Sequence, residues 1–193
     1  MDWSVVHALN AALARHDGIE DVTVAYERIA EPLFLAGLVL LLLLAGPTVR
    51  RGAVAAGLSA GVALMVAQVI SRTANRPRPF VAHPSQVHEF LAHAPDPGFP
   101  SDHATAAAAI TVALLVRTPR WGLVALGLTL ALMVGRVALA IHYPSDVLAG
   151  AILGATTAGL LGIGRARLAI DRVADVLEEA AEALFTRARR ARG

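Results

Sequence analysis

The sequence contains neither cysteine nor lysine. The first absence excludes disulfides and thiolate chemistry. The second makes all 17 basic side chains arginine, so any motif that asks for a lysine has to be met another way. Charge is also scarce where the chain is most apolar. Of the stretches 33–46, 53–70, 104–116, 121–140 and 147–163, four carry no charged residue and one carries only Arg136. The hydrophobic fraction is 56% and the mean hydropathy +0.59, against roughly 45–50% apolar residues in soluble domains. A soluble core would show amphipathic stripes instead of continuous apolar blocks. A span needs about 20 residues, and about 17 can suffice; the shorter blocks reach this with their flanks. The opening residues begin with an acid and lack a long apolar core, so no secretory signal is expected. A net charge of only +2 points away from nucleic acid.

The expected fold is all-α: a polytopic membrane helix bundle of five or six spans, with an N-terminal interfacial helix and a C-terminal amphipathic tail helix. Spans are expected near 30–46, 52–71, 103–117, 121–141 and 146–163. Residues 1–28 form the N-terminal segment, in which Trp3, Val6, Leu9 and Leu13 share a helical face; residues 29–164 form the core. Residues 165–193 form a tail with a stripe of Leu168, Val173, Val176, Leu177, Ala180 and Leu184. It reads as a surface-lying or self-associating cytoplasmic helix whose terminal arginines touch anionic lipid. Arg50 and Arg51, Arg117 and Arg120, and Arg165, Arg167 and Arg172 fall on one side if the spans alternate. The positive-inside rule makes that side cytoplasmic and places the N-terminus outside.

Three polar clusters interrupt the apolar chain, and the alternation brings all of them to the outer face. The first runs from Ser71 to Pro79 and holds Arg72, Arg76 and Arg78. The second is Pro100-Ser101-Asp102-His103. The third is Gly135-Arg136 followed by His142 and Asp146. Arginine offers fork-shaped donors that match phosphate oxygens, and a helix start at Ser101 adds free N–H groups and a favourable dipole. A neutral imidazole can attack phosphorus while a second, protonated one donates to the leaving oxygen. Asp146, four residues after His142, is near enough to hold that ring in one tautomer. Arginines take over the charge neutralisation that a cation usually supplies in phosphoryl transfer, so no metal and no cofactor are expected. Taken singly, these residues read as membrane anchors, first-turn acids and helix-start prolines; the joint arrangement on one face does not.

These residues resemble the type 2 phosphatidic acid phosphatase superfamily, which shares its site with vanadium haloperoxidases. That pattern is Lys-(six)-Arg-Pro, then Pro-Ser-Gly-His, then Ser-Arg-(five)-His-(three)-Asp. Here Gly135-Arg136-(five)-His142-(three)-Asp146 keeps the third spacing, Pro100 to His103 supply the second piece, and Arg78-Pro79 remain of the first. The resemblance implies that His142 forms a phosphohistidine, Asp146 orients it, and His103 protonates the leaving group and then activates water. Arg78, Arg136 and Ser101 would bind phosphate, helped by the backbone N–H of Asp102. Three positions depart from the pattern. Ser71 stands for the lysine, a role open to Arg72 or Arg76, with Arg76 favoured for its place beside Arg78. Asp102 stands for a glycine and puts an acid near an anion site, where an arginine partner would be needed. Gly135 stands for a serine.

The Pro-Ser-Asp-His variant and its surroundings are most like the bacitracin-resistance type of undecaprenyl-diphosphate phosphatase. That branch implies hydrolysis of undecaprenyl diphosphate on the outer leaflet of a bacterial plasma membrane and reuse of the carrier for wall polymers. Partners would be a polyprenyl or other lipid phosphate and the surrounding lipid; homo-oligomerisation stays open. Rival readings are another lipid phosphate, such as phosphatidylglycerol phosphate, phosphatidic acid or a decaprenyl-linked sugar phosphate, haloperoxidase activity, and a decayed lipid-binding scaffold. His83, His88 and His93 read as ordinary loop residues.

Overall fold

The computed structural model describes residues 2–190, without the side chains of residue 178 and residues 181–190. Among the described residues the chain is helical with no strand. The elements are α1 (Asp2–Leu13), α2 (Asp17–Leu44), α3 (Pro47–Ala74), the single turn α4 (Pro79–Ala82), α5 (Asp102–Arg117), α6 (Pro119–Ala138), α7 (Pro144–Leu161) and α8 (Gly164–Arg190).

Helix α5 is the centre, packed against α3, α6 and α7. Ala104, Thr105, Ala107, Ala108, Ala109, Ile110, Thr111, Ala113 and Leu114 are all buried, which covers every face of the helix. At 16 residues it rises about 24 Å, less than the hydrocarbon thickness, and neighbouring helices rather than lipid surround it. Its alanines let those helices approach closely, as small residues do in membranes. The hydroxyls of Thr111 and Thr129 meet at 2.8 Å to link α5 to α6.

Pro47–Ala82, Pro119–Ala138 and Pro144–Leu161 are each long and apolar enough to cross a membrane, and the protein is a membrane protein. Helix α2 begins well before the apolar block from residue 33. Before that block it carries Glu27, Arg28, Glu31 and Pro32. Few of its residues are buried, Glu27, Ala30 and Leu38 among them, because a groove separates it from α3 and α5.

Helix α1 is docked on the bundle through the expected face at Trp3, Val6 and Leu13, with Asn10 in place of Leu9. Val6, Asn10 and Leu13 are buried, while Leu9 is exposed; i, i+4 and i+7 select this stripe. The Asn10 amide donates to the Ala138 carbonyl at 2.9 Å, and its oxygen accepts from the His88 N–H at 2.8 Å. Trp3 stacks on His83 with ring centroids 3.7 Å apart. The segment thus closes over α6, α7 and the loop after α4.

Helix α8 lies at the opposite end. It buries Ile170 and Ala174, whereas Leu168, Val173, Val176 and Leu177 of the expected stripe are exposed. Its inner face is fixed by charge: Asp171 pairs with Arg117, and Asp175 with Arg51 at 2.7 Å. Leu184 and the terminal arginines lie outside the described side chains.

Candidate active site

The end of α6 sets the spacer between Arg136 and His142. The Ile141 N–H bonds the Arg136 carbonyl at 3.1 Å and the Ala140 N–H bonds the Val137 carbonyl at 3.0 Å. This crossed pair is a Schellman cap, with Ala140 in the left-handed region at φ 56°. The His142 N–H also bonds the Arg136 carbonyl, at 3.1 Å. Helix α7 then starts at Pro144, which loses no hydrogen bond at a first helical position. Asp146 at its third position accepts from the Tyr143 N–H at 2.8 Å. His142 and Asp146 end up 2% and 0% exposed.

Two contacts define the His142 ring. Nδ1 is 2.8 Å from the Gly98 carbonyl, and Nε2 is 2.9 Å from Nη1 of Arg78. A carbonyl only accepts and a guanidinium only donates, so Nδ1 carries the hydrogen and Nε2 keeps its lone pair. Asp146 was expected to orient the ring; its Oδ2 lies 3.8 Å from Nδ1, beyond hydrogen-bond length. The direct bond goes to Gly98, and Asp146 acts as a nearby charge. Burial pushes the imidazole down to about 4; Asp146 opposes the shift, and Arg78 and Arg136 add to it. The ring is neutral at pH 7.

The cations divide into two groups. Arg78 is buried, and its Nε bonds the Asp96 side chain and carbonyl, each at 3.1 Å. Arg136 is 3% exposed, with Nε 3.0 Å from Oε2 of Glu27, whose side chain is 0% exposed. Both bear on His142 electrostatically. Arg76 sits on the other side of Asp146. Its Nη1 donates to Asp146 Oδ1 at 2.7 Å and to Ser145 Oγ at 2.6 Å, its Nη2 lies 3.2 Å from Asp2 Oδ2, and its guanidinium lies 4.3 Å over the Tyr143 ring. Its donors therefore face two carboxylates and a hydroxyl. Arg72 is exposed on the last turn of α3, and the Ser71 carbonyl accepts the cap bond from the Asn75 N–H.

The start of α5 forms the third wall. Ser101 is its N-cap; the hydroxyl accepts from the Ala104 N–H at 3.4 Å, and the Ser101 N–H donates to the Asp146 carbonyl at 3.1 Å. Asp102 takes its partner from an amide instead of an arginine: Nε2 of Gln68 donates to Oδ2 at 2.6 Å. Oδ1 of Asp102 is buried with no partner. His103 has the guanidiniums of Arg136 and Arg78 and the imidazoles of His142 and His93 as neighbours, and its Nε2 lies 3.6 Å from Oε2 of Glu31. This wall meets α7 because Gly150 and Gly154 carry no side chain. A Cβ on Gly154 would lie 2.1 Å from the Thr105 carbonyl oxygen, and one on Gly150 would lie 2.5 Å from that of Ser101.

Below His103 a groove of ≈ 610 Å³ runs between α2, α3 and α5. Phe34, Leu38, Gly61, Leu64 and Ile110 line its length, with Gln68, Asp102 and His103 also on its wall. The arrangement therefore combines a neutral imidazole, two buried guanidiniums and a helix N-terminus with an apolar channel. Such a set can bind an anionic head group that carries a lipid chain, and can accept a phosphoryl group on nitrogen.

Several contributors escape sequence reasoning. Gly98, Asp2 and Asn10 act through contacts with distant parts of the chain, and no local pattern marks them. Glu27 reads as one more acid of an exposed helix start. Gly150 and Gly154 do carry a signal, the small-xxx-small spacing of close membrane helix pairs. The three loop histidines serve separately: His83 stacks on Trp3, the His88 backbone holds Asn10, and His93 lies beside Asp96.

Comparison with known proteins fits this geometry. Residues 52–166 match the PAP2 superfamily. The chain is 34% identical over 166 residues to the undecaprenyl-diphosphatase BcrC of Bacillus subtilis, covering 83% of this chain and 82% of that one. It is 36% identical to a decaprenylphosphoryl-5-phosphoribose phosphatase of Mycobacterium tuberculosis, over 67% and 72% of the two chains. The crystal structure of Aquifex aeolicus LpxE superposes with a TM-score of 0.66 at 18% identity, covering 82% of this chain and 93% of that one. With its motif residues gathered on this helical frame, the chain belongs to the PAP2 superfamily and is a membrane lipid phosphatase.

Proposed function

We propose that the chain hydrolyses a polyprenyl diphosphate, undecaprenyl diphosphate in the first place, to the monophosphate. Nε2 of His142 attacks the terminal phosphorus. The P–N bond forms as the bridging P–O bond breaks, and His103 gives its proton to the departing lipid monophosphate. His103 then takes a proton from water, whose oxygen attacks the phosphohistidine and releases orthophosphate. Arg78, Arg136 and the α5 N-terminus with Ser101 and the Asp102 N–H neutralise the charge that builds on the phosphoryl oxygens. Arg76 serves by neutralising Asp146. No metal enters this scheme, and EDTA is expected to leave the rate unchanged.

The observation that carries the reading is the contact of His142 Nε2 with Arg78 at 2.9 Å, which leaves that nitrogen unprotonated, together with an apolar groove whose polar end holds His103. The likeness to BcrC supports the diphosphate. The relative named for a decaprenyl-linked ribose phosphate favours, as a second reading, a polyprenyl-linked phosphomonoester.

The site is assigned to the outer face and the C-terminus to the cytoplasm. Support comes from the arginines at residues 50, 51, 117, 120, 165, 167 and 172, which lie toward the end where α8 docks. A chain without cysteine suits single-cysteine labelling. A membrane-impermeant maleimide should modify His83→Cys in intact cells and leave Ala166→Cys unmodified; the reverse pattern would invert the orientation.

The test of activity is phosphate release by detergent-purified protein in EDTA. Undecaprenyl diphosphate, phosphatidylglycerol phosphate and phosphatidic acid are compared, with His142→Ala as control. Release from the diphosphate that vanishes in His142→Ala is the expected result. Preference for a monoester would move the protein to phospholipid metabolism, and silence on all three would overturn the reading.

A further inference from the structure

Gly135 and Glu27 occupy one volume. A Cβ built on Gly135 would lie 2.2 Å from Oε1 of Glu27 and 3.0 Å from its Cδ. The glycine at position 135 therefore leaves room, and a carboxylate from another helix fills it. Glu27 belongs to α2, outside the residues 52–166 that match the family. Its side chain is 0% exposed and stands 3.0 Å from Nε of Arg136. An acid at such a place is costly to bury unless a cation balances it; no other cation is paired with it among the described residues. The neighbouring Tyr26 hydroxyl donates to the Leu128 carbonyl at 2.6 Å, which holds this part of α2 against α6. One turn on, Glu31 approaches His103. Helix α2 thus turns two carboxylates, four residues apart, toward two residues of the site.

We infer that Glu27 is a positioning residue for phosphoryl transfer. Its carboxylate pairs with the Nε edge of Arg136 by charge at 3.0 Å, without a hydrogen bond, and so turns the terminal amino groups of that arginine toward the phosphate position beside His142. Gly135 and Glu27 are a matched pair: any side chain at 135 displaces the carboxylate and releases Arg136. The inference builds on the phosphatase reading and names a residue which that reading does not contain.

The sign of the effect separates positioning from simple charge. Removing Glu27 removes a negative charge from an anion site. By charge alone, inorganic phosphate and orthovanadate should bind more tightly to Glu27→Ala than to the wild type. If Glu27 positions Arg136, they bind more weakly, and Glu27→Gln, which keeps the shape and one acceptor oxygen, falls between. A displaced catalytic group costs roughly ten- to a hundredfold, and a loss of that order in kcat/KM is expected for Glu27→Ala. Gly135→Ala should cost about as much alone and little more when added to Glu27→Ala, since the clash is then gone.

The experiment measures inhibition by orthovanadate, the melting shift given by inorganic phosphate, and phosphate release for the wild type, Glu27→Gln, Glu27→Ala, Gly135→Ala and Glu27→Ala/Gly135→Ala. The melting temperature without ligand reports folding separately. Weaker binding in the order wild type, Gln, Ala, with non-additive Gly135→Ala, is the expected outcome. Tighter binding by Glu27→Ala, or additive losses in the double variant, would overturn the inference while wild-type activity keeps the phosphatase reading intact. A wild type that neither turns over lipid phosphate nor is shifted by inorganic phosphate would overturn both.

Discussion

Nη1 of Arg78 stands 2.9 Å from Nε2 of His142, so the lone pair of the imidazole is bonded to a guanidinium. The same arginine is tied through Nε to Asp96, on the loop that also presents the Gly98 carbonyl to Nδ1. An arriving phosphate competes with the ring for Arg78. As the phosphate is bound, the nitrogen is released beside it.

Arg78→Lys should therefore fail in spite of its charge. Lysine is a point charge without the fork that bridges Asp96 and the ring. Removing a preorganised donor from developing charge costs roughly 10²–10³ in rate, and a loss in that range is expected in the phosphate-release assay. Activity near that of the wild type would show that only the charge at position 78 matters.

The acid limb of the pH profile should be set low. His142 is pushed from the ordinary 6.5 to about 4, and attack needs the unprotonated nitrogen. The log of kcat/KM should fall as pH drops through about 4 and not near 6.5. The stability linkage has the same sense. Between these values the unfolded chain binds the proton and the folded one does not, so stability is lost as pH falls below 6.5. An acid limb near 6.5 would mean that the ring is more hydrated than its burial implies.

Arg76→Ala should reduce activity far more than Arg72→Ala. The first removes the cation beside the buried Asp146 and releases Asp2 of α1. The second removes an exposed side chain, with an effect on stability within about 0.5 kcal/mol. Asp2→Asn should reproduce part of the Arg76→Ala defect, because Asp2 also bonds Ser145. Parallel melts and rate measurements decide it, and equal losses for Arg72→Ala would move the motif role to that residue.

Gly154→Leu should prevent α5 and α7 from closing. A Cβ there lies 2.1 Å from the Thr105 carbonyl oxygen, a backbone atom that moves only with its helix. Overpacking costs about 1–3 kcal/mol and occasionally more, and separating these helices also parts Ser101 from Asp146. Gly159→Leu, where a Cβ meets nothing within 4 Å, is the control. The two should differ sharply in melting temperature and in yield of folded protein.

Local chemistry made much of the protein legible before folding was considered. The apolar blocks announce membrane helices because the hydrocarbon rejects charge, and the interruptions at Arg78, Ser101 to His103, Arg136 and His142 mark the polar end. The spacing from Arg136 to His142 is local as well, being the length of one helix cap. Less legible were the start of α2, whose charged first half lacks an apolar signature, and the inner face of α8. There, Asp171 and Asp175 meet Arg117 and Arg51, and the more apolar stripe stays outside.

By itself the sequence determined the all-α membrane fold, the family, and the residues of the three motifs, since periodicity, hydropathy and spacing depend only on neighbours along the chain. The tertiary structure alone decided what each of those residues touches. It gave Nδ1 of His142 to Gly98 and not to Asp146, turned Arg76 toward Asp2, offered Gln68 to Asp102, and brought Glu27 into the space left at Gly135. Hydrogen bonds and ion pairs act over about 3 Å. Residues that lie tens of positions apart in the chain come within that distance only through the packing of whole helices.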